Sequence, residues 1–512
     1  MKKKLLFLVA ALALFVPSVM AAEKTAGTEE ELIKAFSETA TGDTIKLTAD
    51  IDSINHLPLT DGRKLTINLN GHNLNFTNGK TLFVVSGELT ITGKGTVNLN
   101  DLYINVWGIE ESTSKEKSVL NVEKDVTIKG STGIAIYESE KNAYNTEVNF
   151  AGTIIAEDYG ITTNGIIKNE NGPVVNIKKG SVITATGEDG TGIYCAGNGT
   201  YNIEEGATIT GGTGVEVRAG KLNVKGGTIT GTAKKLVSEA NDGGCTTIGA
   251  GIAVVQHTTQ LPIEVNITGG TITGAEALYV NNTQGNPAED WAKVKVVAEG
   301  GVFSTDVTKY TADKYVVKKT TNGYEVVENK ILETKDEKVS FESDKALDSD
   351  LKLEVTEKSK EEVTKGNEKV AEKYKEEKKV KDVKLISLYD INVTDGIQVV
   401  PMEDGKFTIA IAIPESEQKY DAYKVVYFDE EGKLVETLEA KLVDGKVVFT
   451  TSHLSTYGVV GYNNVTETST ETKPEKNPGT ADINLALIIG AIVISAAGVV
   501  ITSKKISAKV TR

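Results

Sequence analysis

The sequence predicts a mainly β protein, in which a solenoid of short parallel strands precedes a charged helix, a small β-sandwich and a C-terminal hydrophobic helix. The first observation behind this fold class is an asparagine-centred strand motif. It recurs between residues 44 and 308 at spacings of 28, 27, 26, 21 and 43 residues. A period in the twenties built from short strands is typical of a solenoid, and 43 residues fit two coils or one coil with a long insert. The second observation is the content of 50 glycines and 9 prolines, which indicates many tight turns.

Alternation along each strand predicts which side chains face the interior. In Val265–Asn266–Ile267 the two apolar side chains point to one side and the amide to the other, because successive side chains of a strand alternate. Stacked coils therefore place valine and isoleucine inside and leave an asparagine row outside. The predicted row consists of Asn121, Asn149, Asn176, Asn202, Asn223 and Asn266.

A second strand motif follows in each coil and predicts the setting of the cysteines. Its register aligns Ile193–Tyr194–Cys195 with Val215–Glu216–Val217 and places Cys195 in the inner row, as a small core residue. Cys245 falls in an irregular insert from Ala233 to Gly249. Two cysteines in a secreted chain of this length do not make a disulfide scaffold, and a disulfide between them is the less favoured alternative.

An amphipathic segment from Thr28 to Ala40 is expected to close the N-terminal end of the solenoid. Thr28 can cap a helix there, with Glu31 as the reciprocal partner, and the apolar face consists of Leu32, Ile33 and Phe36. With this cap helix, the INLNGHNL segment and the repeats, residues 22–328 resemble right-handed parallel β-helix proteins of the pectate-lyase-like superfamily. The features that carry the resemblance cover about half of the chain.

The N-terminus has the layout of a secretory signal peptide. Three lysines follow Met1, residues 5–16 are apolar, and small residues precede a cleavage site between Ala21 and Ala22. Residues 1–21 are therefore predicted to be removed on secretion.

The C-terminal residues 477–512 combine a short polar motif, an apolar run and a basic tail. The motif is Asn477–Pro478–Gly479–Thr480–Ala481, and the apolar run extends from Leu485 to Ile501. This layout resembles the cell-wall sorting signal of Gram-positive surface proteins. In that family a sortase cysteine attacks after the motif threonine and transfers the protein to peptidoglycan. The commonest motif of the family is Leu-Pro-x-Thr-Gly, so Asn477 and Ala481 leave the sortase class open.

The alternative for this C-terminal segment is an ordinary transmembrane anchor. Its apolar run, residues 485–501, lies at the short limit for crossing a bilayer, and the basic tail would face the cytoplasm. Both alternatives place the upstream residues at the cell surface, with the apolar run at least transiently in the membrane.

Composition divides the remaining residues into three segments. Residues 329–383 are dominated by lysine and glutamate, and a charged helix with one shielded stripe is predicted from Glu357 to Val380. Short alternating strands return in residues 384–462, with a hairpin signal at Asp444–Gly445. These residues resemble the small β-sandwich modules that precede the wall anchor in many Gram-positive surface proteins. Residues 463–476 are expected to form an extended linker.

The charge pattern narrows the class of partner. A net charge of −15 argues against nucleic acid, because binding would have to overcome phosphate repulsion. Arg63, Arg218 and Arg512 are the only arginines, so bidentate forks for phosphate or carboxylate are scarce. The four histidines have no carboxylate or cysteine at ligand spacing, so neither a metal nor a cofactor is expected.

The outer side of the second strand motif is the predicted ligand face, formed by Tyr137, Tyr194, Glu216, Arg218 and Tyr279. Tyrosine rings can stack on sugar rings. The first hypothesis is therefore a surface-displayed binding or adhesion protein that contacts glycans or host surface proteins, with sortase and peptidoglycan as partners of its anchor.

The alternative function, which the pectate-lyase-like resemblance implies, is a polysaccharide lyase or glycoside hydrolase. The outward row of the second strand motif holds one carboxylate, Glu216, and one carboxylate cannot perform the acid and base roles together. No catalytic residue is therefore assigned. Under this alternative, Glu216 and the acids near Asp158 are the side chains whose replacement should abolish turnover.

Overall fold

A computed structural model of the chain describes residues 22–465 with gaps at 55–56, 61, 78–81, 85–86, 109–116, 139–145, 165–171, 376, 378 and 403–404. The predicted signal peptide, the sorting motif from Asn477 to Ala481 and the apolar run from Leu485 to Ile501 lie outside the described residues. Within the described part of the chain, no helix is both long enough and apolar enough to cross a membrane. The described residues divide into two compact units, residues 22–297 with 301–305, and residues 298–300 with 306–465.

The first unit consists of short strands that recur in every coil. It begins with β1 (Glu23–Ala26) and helix α1 (Glu29–Glu38). The strands of the next coils are β2 (Thr44–Leu47), β3 (Ile51–Ile54), β4 (Leu57–Leu59), β5 (Lys64–Asn68), β6 (Leu74–Phe76), β7 (Leu82–Val84), β8 (Gly87–Thr92), β9 (Gly95–Asn98), β10 (Ile104–Gly108), β11 (Ser118–Val122), β12 (Val126–Glu138), β13 (Thr146–Phe150) and β14 (Thr153–Thr163).

The later coils repeat this order and add one short helix. Their elements are β15 (Val174–Ile177), β16 (Val182–Ala185), β17 (Thr191–Cys195), β18 (Thr200–Ile203), β19 (Thr208–Gly211), β20 (Thr213–Val217), β21 (Gly220–Val224), β22 (Thr228–Gly231), β23 (Val237–Ser238), β24 (Thr247–Ile248), β25 (Ala250–Val254), β26 (Ile263–Ile267), β27 (Thr271–Thr273), β28 (Glu276–Val280), α2 (Ala288–Trp291), β29 (Val294–Ala298) and β30 (Val302–Phe303).

The described strands stack into parallel ladders, one for each side of a coil. The first ladder has the order β1-β2-β5-β8-β11-β13-β15-β18-β21-β26-β29. The second ladder runs from β3 to β30 and the third from β4 to β28. The long strands β12 and β14 contribute their first halves to the second ladder and their second halves to the third. This large parallel architecture is compatible with the predicted β-helix.

The predicted asparagine row is present on the outer side of the first ladder. The register aligns Asn121 with Asn149, and it continues through each later coil to Asn266. From Asn149 onward, each Nδ2 donates a hydrogen bond to the Oδ1 of the preceding coil's asparagine at 2.9–3.1 Å. On the inner side, Val265 and Ile267 are fully buried, as the alternation predicts.

Helix α1 covers the N-terminal end of the first unit, as expected, but its apolar face is narrower than predicted. Leu32, Ala35 and Phe36 are buried, whereas Ile33 is 43% exposed. The Thr28 hydroxyl accepts a hydrogen bond from the Glu31 N–H at 3.3 Å. The Glu31 carboxylate accepts from the Gly27 N–H at 2.8 Å, one residue before the partner that a capping box requires.

The second unit contains the hairpin β31 (Tyr315–Thr320) and β32 (Gly323–Glu328), and an antiparallel sheet of nine described strands. The other elements of the unit are β33 (Leu332–Glu333), β34 (Val339–Ser343), β35 (Lys352–Glu357), α3 (Lys360–Tyr374), β36 (Val380–Thr394), β37 (Phe407–Ala412), β38 (Ala422–Phe428), β39 (Leu434–Val443), β40 (Lys446–Thr451), β41 (Thr456–Asn464) and the 3-10 helices Thr308–Tyr310 and Glu415–Glu417. The sheet order is β33-β34-β37-β40-β39-β38-β41-β36-β35.

The second unit differs from its sequence prediction in one respect and leaves another part of the prediction unconfirmed. Strands β33, β34 and β35 lie within residues 329–383 and join the sheet, so this segment is not a purely helical connector. The two stacked layers of a β-sandwich are not confirmed either, since the nine described strands form one hydrogen-bonded sheet. The predicted hairpin is confirmed: Asp444 and Gly445 connect β39 to β40 with φ values of 48° and 79°.

Candidate functional site

The outer side of the third ladder brings together the side chains of the predicted ligand face. The register places Tyr194 beside Glu216, Glu216 beside Ala253, and Ala253 beside Tyr279. Tyr137 lies on the same face, and its register partner in the preceding coil is Trp107. Sequence register therefore identified the correct side of the coil for these residues.

The prediction that all five residues are exposed is wrong for three of them. Glu216 and Arg218 are 0% exposed and Tyr194 is 5% exposed. The cause is the insert, residues 233–249, which follows β22 and contains the antiparallel pair β23–β24. Hydrogen bonds join the insert to Glu216 and Arg218, so it covers this part of the third ladder. Tyr137 and Tyr279 remain half-buried.

Glu216 anchors the end of the insert. Its Oε1 accepts hydrogen bonds from the N–H and the hydroxyl of Thr246, both at 2.9 Å, and its Oε2 accepts from the Thr247 N–H at 3.0 Å. Burial raises the pKa of Glu216 above its usual value, and the hydrogen bonds from Thr246 oppose that effect. A carboxylate with these donors is committed to holding the insert, so it is not a free acid or base.

Arg218 anchors the middle of the insert. Its Nη1 donates to the Gly244 carbonyl at 2.7 Å, and its Nη2 donates to the Asn241 carbonyl at 2.8 Å. The Tyr194 hydroxyl donates to the same Gly244 carbonyl at 2.9 Å. Gly244 has a φ of 82°, a left-handed conformation that glycine adopts without steric cost. The insert backbone is therefore fixed at its closest approach to the third ladder.

His257 fixes the neighbouring part of the insert from the next coil. Its Nδ1 accepts from the Thr259 N–H at 3.1 Å, which assigns the proton to Nε2, and Nε2 then donates to the Asp242 carbonyl at 3.1 Å. Burial and the nearby Arg218 guanidinium lower the pKa of His257. The imidazole is therefore neutral, and both of its nitrogens are engaged.

A cavity of about 340 Å³, here called the outer cavity, lies between the insert and the third ladder. Its lining includes Tyr137, Thr162, Asn164, Tyr194, Asp242 and His257. Among the described residues, no lysine or arginine lines it, and Asp242 is its one carboxylate. The cavity therefore presents hydroxyl, amide and aromatic groups with one negative charge.

An aromatic surface adjoins the outer cavity. The ring centroids of Trp107 and Tyr137 lie 6.5 Å apart, and those of Tyr103 and Tyr137 lie 6.4 Å apart. Trp107 is 38% exposed. Burial, together with Tyr103, raises the pKa of Tyr137 to about 12, so its phenol is neutral. Sequence reasoning missed Trp107 because it counted outward positions only from Ile134 onward, whereas the register extends back to Ile104.

The opposite side of the insert encloses the thiol of Cys245. Its Sγ lies 2.7 Å from the Thr191 hydroxyl, and its N–H donates to the Tyr159 hydroxyl at 3.4 Å. Burial is the main cause that raises the pKa of Cys245 to about 12. Cys195 is fully buried beside Val217, as its register predicted, and both cysteines are free thiols.

The described residues do not bring a catalytic pair together. Asp158 is exposed and accepts a hydrogen bond from the Ser131 hydroxyl at 2.6 Å, and it does not line the outer cavity. Within the described ranges, no group of three or more His, Cys, Asp or Glu side chains is placed to hold a metal ion. Asp242 alone cannot supply both carboxyl groups of a glycosidase mechanism.

A larger cavity of about 600 Å³ occurs in the second unit, between α3 and the turn that connects β38 to β39. Lys358, Lys365 and Lys369 line one part of it, and Asp429, Glu430 and Glu431 line another. Mixed charges at an open surface are ordinary solvated groups. The outer cavity, with its adjoining aromatic rings, is therefore the candidate site.

Comparisons of the whole chain with protein-family models, with curated proteins and with solved structures found no match.

Proposed function

We propose that this chain is a surface-displayed binding protein that holds glycans against the outer side of the third ladder. The single observation that carries the proposal is the exposed ring of Trp107 beside Tyr137, which itself lines the outer cavity. Aromatic rings provide flat apolar contact area at little conformational cost, and Tyr137 adds a polar hydroxyl at its edge. Polar groups within the cavity would then orient one sugar.

A glycan array probed with the full chain tests this function. Replacing Trp107 or Tyr137 with alanine should reduce the binding of every glycan that the wild-type chain retains, by about tenfold or more. Tyr324→Ala is the matched control, because Tyr324 is a half-buried tyrosine of the second unit. Binding that is unaffected by both aromatic substitutions would disprove a role for this face.

The enzyme alternative makes a different prediction for the same chain. A polysaccharide lyase or glycoside hydrolase would release unsaturated or reducing-end products, and Glu216→Gln would abolish that release. The engagement of Glu216 with Thr246 and Thr247 favours the binding function. A degradation screen run on the same glycans distinguishes the two functions.

The proposed location is the outer surface of a Gram-positive cell wall, with the sorting signal at Asn477–Ala481 as the anchor and residues 1–21 as the signal peptide. The first unit is proposed to be a right-handed β-helix of the pectate-lyase-like type, supported by its parallel ladders and by α1 at its end. Thr480→Ala should release the protein from covalent wall linkage, which wall fractionation would measure. Unchanged linkage in this variant would contradict sorting.

A further inference from the structure

We infer that the outer cavity selects an uncharged sugar and rejects sugars that carry a carboxylate or sulfate. This inference rests on the proposed glycan-binding function and names the class of sugar at that site. Its basis is the composition of the lining: hydroxyls of Thr162 and Tyr137, the Asn164 amide and the Asp242 carboxylate, with no cationic side chain among the described lining residues. An anionic sugar would lose its hydration in the cavity without gaining a countercharge.

Arg218 is the nearest candidate for such a countercharge, and its contacts exclude that role. Its terminal nitrogens donate to the carbonyls of Gly244 and Asn241, and its side chain is 0% exposed. Its Nε lies 3.9 Å from the Glu216 carboxylate, so its charge is already paired. The guanidinium therefore holds the backbone of the insert and cannot reach a ligand.

The wall that carries Asp242 is also held in place on both sides. His257 donates to the Asp242 carbonyl, while Arg218 and Tyr194 both donate to the Gly244 carbonyl. These hydrogen bonds fix the backbone of Asp242 and Gly244 at the wall of the cavity. Asp242 thus contributes a negative charge to the lining of the cavity, and this charge repels a ligand carboxylate or sulfate, in the same direction as the chain's net charge of −15.

The dimensions of the cavity limit the ligand to a short segment of glycan. About 340 Å³ is close to the lower end of the volumes of small-molecule sites, roughly 300–1,000 Å³. The ring of Trp107 lies beside Tyr137 but is not part of the lining, and it would support the next sugar of the chain. Arg218 and Glu216 are positioning residues for this site, whereas Asp242 is the residue that determines charge selectivity.

The experiment compares neutral oligosaccharides with their acidic counterparts on one array. The probes are gluco-, galacto-, manno- and xylo-oligosaccharides, together with uronate, sialylated and sulfated glycans of matched length. We expect the full chain to retain neutral glycans. We also expect Asp242→Asn to improve the relative binding of acidic glycans by about tenfold, because it removes the repelling charge while preserving size.

Asp189→Asn is the matched control, since Asp189 is an exposed acid that lines the opposite side of the insert and carries the same charge. It should leave the preference for neutral glycans unchanged. If acidic glycans bind the wild-type chain tightly and the Trp107→Ala variant no longer binds them, the selectivity inference is overturned. The same result would support glycan binding at this face. If the binding of no glycan on the array depends on Trp107 or Tyr137, the proposed function itself is overturned. An equal response of both aspartate variants would show that Asp242 has no local role.

Discussion

The Glu216 carboxylate lies 3.9 Å from the Arg218 guanidinium, and both side chains are completely buried. They are two residues apart on the outer side of the third ladder, where a charged pair is ordinarily solvated. The insert removes them from solvent. In return, Glu216 accepts hydrogen bonds from the Thr246 N–H, the Thr246 hydroxyl and the Thr247 N–H, and Arg218 donates to carbonyls of the insert. The Glu216–Arg218 pair therefore connects the irregular insert to the regular strands of the third ladder.

Glu216→Gln should lower the free energy of unfolding of the first unit by about 3 kcal/mol. Removing one member of a buried pair leaves the other charge without compensation, which typically costs about 3–5 kcal/mol. The glutamine amide would also present an N–H group to N–H donors of the insert. Urea unfolding of the full chain, followed by circular dichroism, measures the change. Glu157→Gln, which alters an exposed acid of the same unit, should stay within about 0.5 kcal/mol of wild type.

The same substitution should expose Cys245 while leaving Cys195 protected. In the wild-type chain Cys195 is buried and Cys245 is half-buried, and the pKa of the Cys245 thiol is raised to about 12, so its reaction with iodoacetamide should be slow. Loosening the insert in Glu216→Gln should accelerate alkylation of Cys245 by about tenfold or more, because local opening controls access. Peptide mapping after timed alkylation distinguishes the two cysteines. Equal acceleration at Cys195 would indicate unfolding of the whole unit instead.

Periodicity explains why much of the first unit could be predicted from the sequence. Alternation is a property of neighbouring residues, so Val265, Asn266 and Ile267 indicate their own orientation without any knowledge of distant contacts. The register of Cys195 against Val217 follows from the same rule. These predictions required only that equivalent strands stack directly on one another.

The burial of Glu216 could not be predicted in this way. It depends on Thr246, 30 residues further along the chain, in a segment without strand periodicity. The 43-residue spacing between Asn223 and Asn266 did reveal that an insert could interrupt the repeat, but no local pattern showed which ladder it would cover. In the second unit, the charged composition of residues 329–383 similarly concealed the buried core positions of Val339 and Phe341.

Asn202→Ala should destabilise the first unit by about 1–2 kcal/mol. Asn202 donates to Asn176 and accepts from Asn223, both at 2.9 Å, so the change removes two hydrogen bonds. The side-chain amides of Asn176 and Asn223 then each keep a hydrogen-bonded asparagine on one side only. A half-buried hydrogen bond typically contributes about 0.5–1.5 kcal/mol. Urea unfolding measures the effect, with Thr228→Ala as the control for an exposed strand position of the same unit. Equal destabilisation by both substitutions would mean that the ladder of amides contributes nothing beyond strand propensity.

Acidification should weaken the first unit through His257. Burial and Arg218 lower the pKa of this imidazole in the folded chain, whereas the unfolded chain binds a proton near the usual value of 6.5. Below that value the unfolded state holds more protons, so stability should fall as the pH decreases from 6.5 towards the lowered pKa, with a limiting slope of about 1.4 kcal/mol per pH unit. Above about pH 7.5 the effect should vanish, since His257 is neutral in both states.

His257→Gln tests this assignment, because glutamine can still donate towards the Asp242 carbonyl but cannot titrate. Urea unfolding at pH 5.5, 6.5 and 8 should show a shallower acid slope for the variant than for wild type, and an unchanged slope above pH 7.5. Protonation would also remove the acceptor at Nδ1 that holds the Thr259 N–H, so glycan binding in the outer cavity should weaken over the same range. Identical acid slopes in the two chains would exclude His257 as the titrating group.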